Sequence, residues 1–384
     1  MRKFSKSLLV VIVILAITVI SAWIAIISKS KLSGNEAETI KIGVIAPLTS
    51  DMSNWGSSMK GGIELAVSEW NGHDGINGKK IQLIFEDNKS CDKTEAVTAF
   101  NKLANVDKVK AVIVGCSGSV LSVAPLAEQN KIILLTTLAS AAKISQAGDY
   151  VFRTCISDAV QGKNLADFLY NKLDTKDAAV IYVNNDYGVG FLDAFKTTFE
   201  SAGGKIVDSE VYQPESTDFR TFLIKIKARN PSALVIISYG SEGGLIAKQT
   251  KEMGINSHLI GSDNFGVKEV VAAGGKAVEG TIFVTSALDD KNKKVQDLKS
   301  SYILSYKTEP PIMSAVANSY DGTNLLLSAI KSKGYNADSI KDYLYAVKNY
   351  DGVSGIINMD KNGDANMPST IQQIKNGNFL PYSQ

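Results

Sequence analysis

The chain has two histidines, three cysteines and almost no surplus of charge, and each scarcity removes a class of function. His73 and His258 lie at no ligand spacing from a cysteine, so no metal site is expected. With 41 basic against 39 acidic side chains there is no polycation for nucleic acid. Two histidines leave little choice of general base, and no GxxxxGK[ST] phosphate loop occurs. Where a dinucleotide fold would place GxGxxG after its first strand, Gly43-Val44-Ile45-Ala46-Pro47 stands instead. Gly115-Cys116-Ser117-Gly118-Ser119 lacks the glycine spacing of a nucleophile elbow. Asp360-Lys361-Asn362-Gly363-Asp364 opens like a calcium loop, but Ala365 and Ile371 occupy the positions of the required glycine and glutamate, so it reads as a turn. The expectation is a protein without cofactor and without enzymatic activity.

What is present is apolar and abundant. At 384 residues and 45% hydrophobic, the chain exceeds one ordinary core, so two domains or one large α/β unit are expected. The run Leu8 to Ile27 carries no charge and follows Arg2, Lys3 and Lys6. Its length suits a membrane-crossing helix, and it continues past Ser21-Ala22 without a cleavage pattern. Residues 1–31 therefore read as an uncleaved anchor, with a cleaved signal as the alternative, and residues 32–39 as a tether. No cysteine stands nearby to take a lipid. Everything beyond would be extracytoplasmic, and that body carries 36 basic against 39 acidic residues.

From Ile40 onward, β-branched runs alternate with amphipathic stretches, as in βαβ units around a parallel sheet. Strands are expected at Ile40 to Pro47, Lys80 to Glu86, Ala111 to Gly115, Ile132 to Thr136, Ala179 to Asn184, Lys205 to Val211, Ala233 to Ser238, Leu259 to Gly261 and Thr281 to Thr285. Helices are expected between them, one opened by Asp92 as N-cap with Glu95 three residues on. Two similar series emerge, one to about Arg153 and one from about Gln161, with Tyr150 to Ser157 as the connection. Three further helices and short strands near Gly355 to Met359 and Ile371 to Ile374 complete the chain.

Open α/β sheets bind ligands beyond the carboxyl ends of their strands. Ser117 follows one such strand and opens a helix, so its hydroxyl and the adjacent N–H groups suit a carboxylate; an ordinary N-cap is the plain alternative. Leu138 and Ser140 follow another strand, where a hydroxyl and neighbouring carbonyls suit an ammonium group. Tyr187, Tyr239 and Asp263 end strands of the second series, and Trp55 sits in the loop after Pro47. Lone aromatics are commonly packing; several at strand ends suggest a site. Cys91 and Cys116 end consecutive strand-like segments, so a disulfide between them and three buried free thiols both remain open.

In this order the residues resemble the branched-chain amino acid (leucine/isoleucine/valine) receptors of ABC importers, which are type I periplasmic binding proteins. The likeness runs from about Ile40 to Gln384. Its landmarks are Ile42-Gly43-Val44-Ile45-Ala46-Pro47-Leu48-Thr49, the helix from Gly56 to Asn71, Gly75-Ile76-Asn77-Gly78-Lys79, Glu86-Asp87, Gly115-Cys116-Ser117, Phe152-Arg153-Thr154, Asn185-Asp186-Tyr187-Gly188-Val189-Gly190 and Tyr320-Asp321. The resemblance implies an α/β fold of two Rossmann-like, doubly wound lobes joined by three hinge crossovers, preceded by the transmembrane helix. Lobe 1 would span 40–157 and 286–367, and lobe 2 would span 158–285 and 368–384.

The resemblance also implies a Cys91–Cys116 disulfide, a carboxylate-binding Ser117, a Ser140 that contacts both ends of an amino acid, and an Asp263 that pairs with its ammonium. Trp55, Leu138, Tyr187 and Tyr239 would line the cleft. Asp263 further resembles the acidic residue of glutamate-receptor ligand domains. Small residues between Ile312 and Ala317 imply a side-chain pocket unlike that of the leucine receptors. The expected partners are an amino acid and an ABC permease, with the protein a monomer held to the membrane by its N-terminal helix. A receptor that signals through a separate membrane subunit is the alternative.

Overall fold

Short strands built only of aliphatic residues need cover on both faces, and the described chain supplies it. The computed structural model describes residues 39–49 and 52–383. The Leu8 to Ile27 run, and with it the expected anchor or signal and nearly all of the tether, lies outside the described residues. Among those described, no helix is long and apolar enough to cross a membrane.

The first sheet is laid down by β1 (Ile40–Ala46), α1 (Ser53–Gly72), β2 (Ile81–Asp87), α2 (Lys93–Asn105), β3 (Ala111–Val114), α3 (Ser117–Asn130), β4 (Ile133–Thr136) and β5 (Val151–Arg153). Its strand order is β2-β1-β3-β4-β5. The pairs β1/β3, β3/β4 and β4/β5 are parallel. Every residue of β3 and β4 is buried.

The chain then enters α4 (Asp158–Asn171) and repeats the winding through β6 (Asp177–Val183), α5 (Asp186–Ser201), β7 (Lys205–Tyr212), α6 (Arg220–Arg229), β8 (Ala233–Ile237), α7 (Gly240–Glu252), β9 (His258–Gly261), α8 (Lys268–Gly274) and β10 (Ile282–Ser286). Next come α9 (Lys293–Tyr306), α10 (Met313–Lys333), α11 (Ala337–Tyr345), the short pair β11 (Tyr350–Asp351) and β12 (Ile356–Ile357), and finally β13 (Ser369–Lys375) and β14 (Asn378–Pro381). The second sheet runs β14-β13-β10-β9-β8-β6-β7. β13 joins it antiparallel to β10. Numbered within its own series, each parallel set reads second, first, third, fourth, fifth. Strand order therefore reverses between β1 and β3 in one sheet and between β6 and β8 in the other, the places where such sheets bind ligands.

The chain passes between the sheets three times, after β5, after β10 and before β13. The passing segments bond to one another. Arg153 N–H donates to Gly363 O at 2.8 Å, Ala365 N–H to Arg153 O at 2.8 Å, and Ala287 N–H to Pro368 O at 3.0 Å. α10 returns to cover α1, where Leu65, Val316, Ala317, Leu298 and Tyr302 form one cluster.

One departure from the sequence expectation has a physical cause. Tyr150 to Ser157 is expected as a bare connection, yet Val151–Arg153 is a buried strand of the first sheet. Its last residue is an arginine, which breaks the apolar pattern. The helix expected between β8 and β9 is α7, formed although its Gly240, Gly243 and Gly244 lower helix propensity. A Cβ on Gly244 would stand 2.5 Å from the Val270 carbonyl oxygen, so close helix packing requires glycine there.

Candidate functional site

One wall of the cleft is set by the ends of β1, β3 and β4. A Cβ on Gly56 would fall 1.9 Å from the Pro47 carbonyl oxygen. Glycine thus lets the first turn of α1 close on the end of β1, which brings Trp55 against the core of the second sheet. Two residues past β3 stands Cys116, held at φ +67° and bonded to Cys91 as a disulfide. Cys155 is buried and free. The Cys116 turn leaves Ser117 as the first residue of α3, only 7% exposed. Ser117 Oγ accepts from Ala141 N–H at 3.1 Å, so its own hydrogen remains available to a further acceptor.

After β4 the chain turns through Leu138 and Ser140. Ser140 O accepts from Asp158 N–H at 2.8 Å and from Arg153 Nη1 at 2.9 Å. Arg153 is fully buried, also donates to Ala141 O at 2.9 Å, and pairs with Asp364 at 2.7 Å. This guanidinium fixes the loop that carries Ser140.

The facing wall comes from the second sheet. Tyr187 lies in the first turn of α5, Tyr239 directly precedes α7, and Asp263 starts a short 3-10 turn after β9. The two tyrosine rings stack with centroids 5.5 Å apart. Asn185 Nδ2 donates to Tyr239 Oη at 3.0 Å. Tyr187 Oη donates to Asp263 Oδ1 at 2.7 Å and lies 2.8 Å from Ser262 Oγ. Burial pushes both tyrosine hydroxyls up, so they stay protonated. Burial also raises Asp263 above the usual carboxylate range.

Trp55, Ser117, Leu138, Ser140, Tyr187, Tyr239 and Asp263 all line one cavity between these walls. It offers about 40 Å³ to the centre of a water-sized sphere. Met52, Trp55 and Tyr239 are shared with a neighbouring pocket of about 100 Å³ that also includes Val267 and Glu242. No lysine or arginine is among the described residues lining either space. Across the mouth, Lys93 Nζ pairs with Asp186 Oδ2 at 2.6 Å, and Asn54 Nδ2 donates to Glu269 Oε1.

The segment Ile312 to Ala317 does not line this cavity, contrary to expectation. Ile312 and Ala315 are buried with the core of the second sheet, while Val316 and Ala317 pack under α1. Small residues there serve helix contact: a Cβ on Gly62 of α1 would stand 2.3 Å from Val316 O. Sequence reasoning also passed over Asp158 and Gln161, both fully buried behind Ser140 and Asp263. Their signal was the Asp-x-x-Gln spacing at the opening of a helix.

A model of the periplasmic binding protein family matches residues 39–378. The Leu/Ile/Val-binding protein homolog 3 of Brucella melitensis is 29% identical over 338 residues, covering 86% of this chain and 89% of that protein. The leucine-, isoleucine-, valine-, threonine- and alanine-binding protein of Pseudomonas aeruginosa is 27% identical, with 90% of each chain covered. Among solved structures, a leucine binding protein of Thermotoga maritima superposes with a TM-score of 0.82 at 30% identity, covering 90% of this chain and 98% of that one. A branched-chain amino acid transporter substrate binding protein of Streptococcus pneumoniae, in complex with isoleucine, superposes at 0.80 and 28% identity, covering 89% and 98%.

Proposed function

The chain belongs to the periplasmic binding protein family, and from that premise we propose that it captures a neutral L-amino acid outside the cytoplasm and delivers it to an ABC permease. The family is one of solute binders, not enzymes. The relatives that match along most of the chain are named for leucine, isoleucine and valine, and one also for threonine and alanine.

One observation carries the reading: a single cavity has a hydroxyl with its hydrogen to spare, Ser117, on one wall and a carboxyl group, Asp263, on the other. Ser117 and the N-terminus of α3 receive the ligand carboxylate. Ser140, Leu138 and Asp263 take the ammonium group, and Trp55 and Tyr239 border the apolar pocket where the side chain rests. The first sheet with α9–α11 forms lobe 1, and the second sheet, including β13 and β14, forms lobe 2. Ligand bound to one lobe is covered by the other, which shifts an open–closed equilibrium. Acidic side chains are disfavoured, because among the described residues no cation lines the cleft to meet them. The uncharged Leu8 to Ile27 run supports tethering to the membrane.

Asp263→Ala tests this. Leaving an ammonium unpaired in a dry site costs about 3–5 kcal/mol, so L-leucine affinity by calorimetry should fall at least about 100-fold with the circular dichroism spectrum unchanged. Undiminished affinity would remove Asp263 from the site.

A further inference from the structure

Asp158 does not line the cavity, yet it is the group most firmly shut away behind it. It opens α4, is 0% exposed, and faces Asp263 across the side chain of Gln161, which is also 0% exposed. Gln161 Nε2 lies 3.5 Å from Asp158 Oδ1, and the Ser140 hydroxyl also faces the Asp158 carboxyl. Among the described residues, Asp158 Oδ2 and Gln161 Oε1 have no hydrogen-bond partner. Two acids and an amide thus meet at the back of the cleft with two acceptor atoms unanswered. A buried acceptor left this way is costly unless a proton or a cation comes to it.

The charges facing the pair from other elements do not answer it. Arg153 of β5 is the cation that faces Asp158, but its guanidinium is engaged by Asp364, Ser145 Oγ, Ser140 O and Ala141 O. Tyr187 and Tyr239 present protonated hydroxyls, and the Cys155 thiol, pushed up to about 12 by burial, is neutral. Two carboxylates flanking one amide in low dielectric resist ionising together unless a cation joins them, so they titrate as a unit.

We propose that Asp158 is the proton partner of Asp263: the two share one proton while the cleft is empty, and entry of a ligand ammonium drives that proton to solvent. This rests on the amino-acid reading above. Charge balances without any covalent change to the ligand. A pair carrying one proton and one negative charge meets R–NH3+, the proton leaves to water, and two carboxylates then face one ammonium. Burial, and for Asp158 also its neighbour, raises the pair above the ordinary range, which agrees with a retained proton. The empty protein then holds more protons than the complex, so affinity rises with pH through the pair's titration and falls on acidification. Asp158 is a positioning residue here, acting through Asp263.

The experiment titrates L-leucine into the full-length protein by calorimetry, in phosphate and in Tris at matched pH, across pH 5.5 to 8, for wild type and Asp158→Asn. Wild type should release a fraction of a proton approaching one near neutrality. In the variant that release should drop by at least half, and the acid limb of affinity should move down by about one pH unit as Asp263 loses its like-charged neighbour. Wild-type binding with no proton release, or an unchanged proton count and acid limb in the variant, overturns this inference and leaves the amino-acid reading standing. Failure of L-leucine, L-isoleucine, L-valine, L-threonine and L-alanine all to bind wild type overturns both. Ligand-free melting gives a separate reading. Asp158→Asn should raise Tm at pH 7.5, with the gain vanishing toward pH 4.5, because raised carboxyls cost the fold stability only once the pH passes above their unfolded-state values. An equal Tm loss at both pH values would mark Asp158 as purely structural and overturn the proposal.

Discussion

At the scale of single residues, the cleft depends on side chains that never touch its contents. Arg153 holds the carbonyls of Ser140 and Ala141 in place and neutralises Asp364. Arg153→Met leaves Asp364, 14% exposed, without its ion pair. That costs about 3–5 kcal/mol, and the urea midpoint should fall accordingly. Adding Asp364→Asn should recover part of the loss, and a double variant no better than the single would show that packing, not charge, dominates. Sequence made the lining of the candidate cavity readable because these residues stand at strand ends, where chain order alone locates them: Ser117 after β3, Tyr187 after β6, Asp263 after β9. Arg153 was visible as part of Phe152-Arg153-Thr154 but without a role, since its partners lie 8 to 211 positions away. Asp158 was not singled out because it stands at the opening of a helix rather than at a strand end.

Among elements, the turns at the switch points carry the most constraint. The Cys91–Cys116 bond ties the loop after β2 to the turn before α3 and closes a 25-residue separation. Loop-closure entropy for that length amounts to about 3–4 kcal/mol. A Cys91→Ser, Cys116→Ser variant should therefore melt lower than wild type, and adding reductant should lower wild type but not the variant. A matching reductant response in both would show that the bond contributes nothing. Gly56→Ala should be worse for binding than for folding, because its Cβ would push the first turn of α1 off Pro47 and carry Trp55 with it. Calorimetry should find weaker leucine binding with a smaller change in melting temperature. Most strands were legible in sequence because central strands with both faces covered read as unbroken aliphatic runs, as in Ala233–Ile237. β5 was not, since its closing arginine obeys a tertiary demand that local propensity does not register.

For the molecule as a whole, the contacts across the cleft mouth bear on closure. Lys93 and Asp186 open helices on opposite sides, with side chains 57% and 23% exposed. An ion pair so open to water contributes about 0.2–1 kcal/mol. Lys93→Ala should weaken ligand binding less than about fivefold, chiefly through faster release, and the difference from wild type should shrink at high salt. A salt-independent difference would mean that Lys93 acts by packing. The repeated strand order was foreshadowed by two series of alternating runs. The return of α10 onto α1 was not, because nothing local tells a late amphipathic helix which sheet it will cover.

That return has a consequence during synthesis. α1 emerges from the ribosome some 240 residues before α10, the helix that covers it. Until α9 and α10 follow, Leu65 and its neighbours lack their apolar lid, and the early half of the polypeptide must wait, unfinished, while the later sheet is translated. A fragment ending before α9 should consequently be retained by chaperones or degraded, and neither half can be expressed as one uninterrupted stretch of gene.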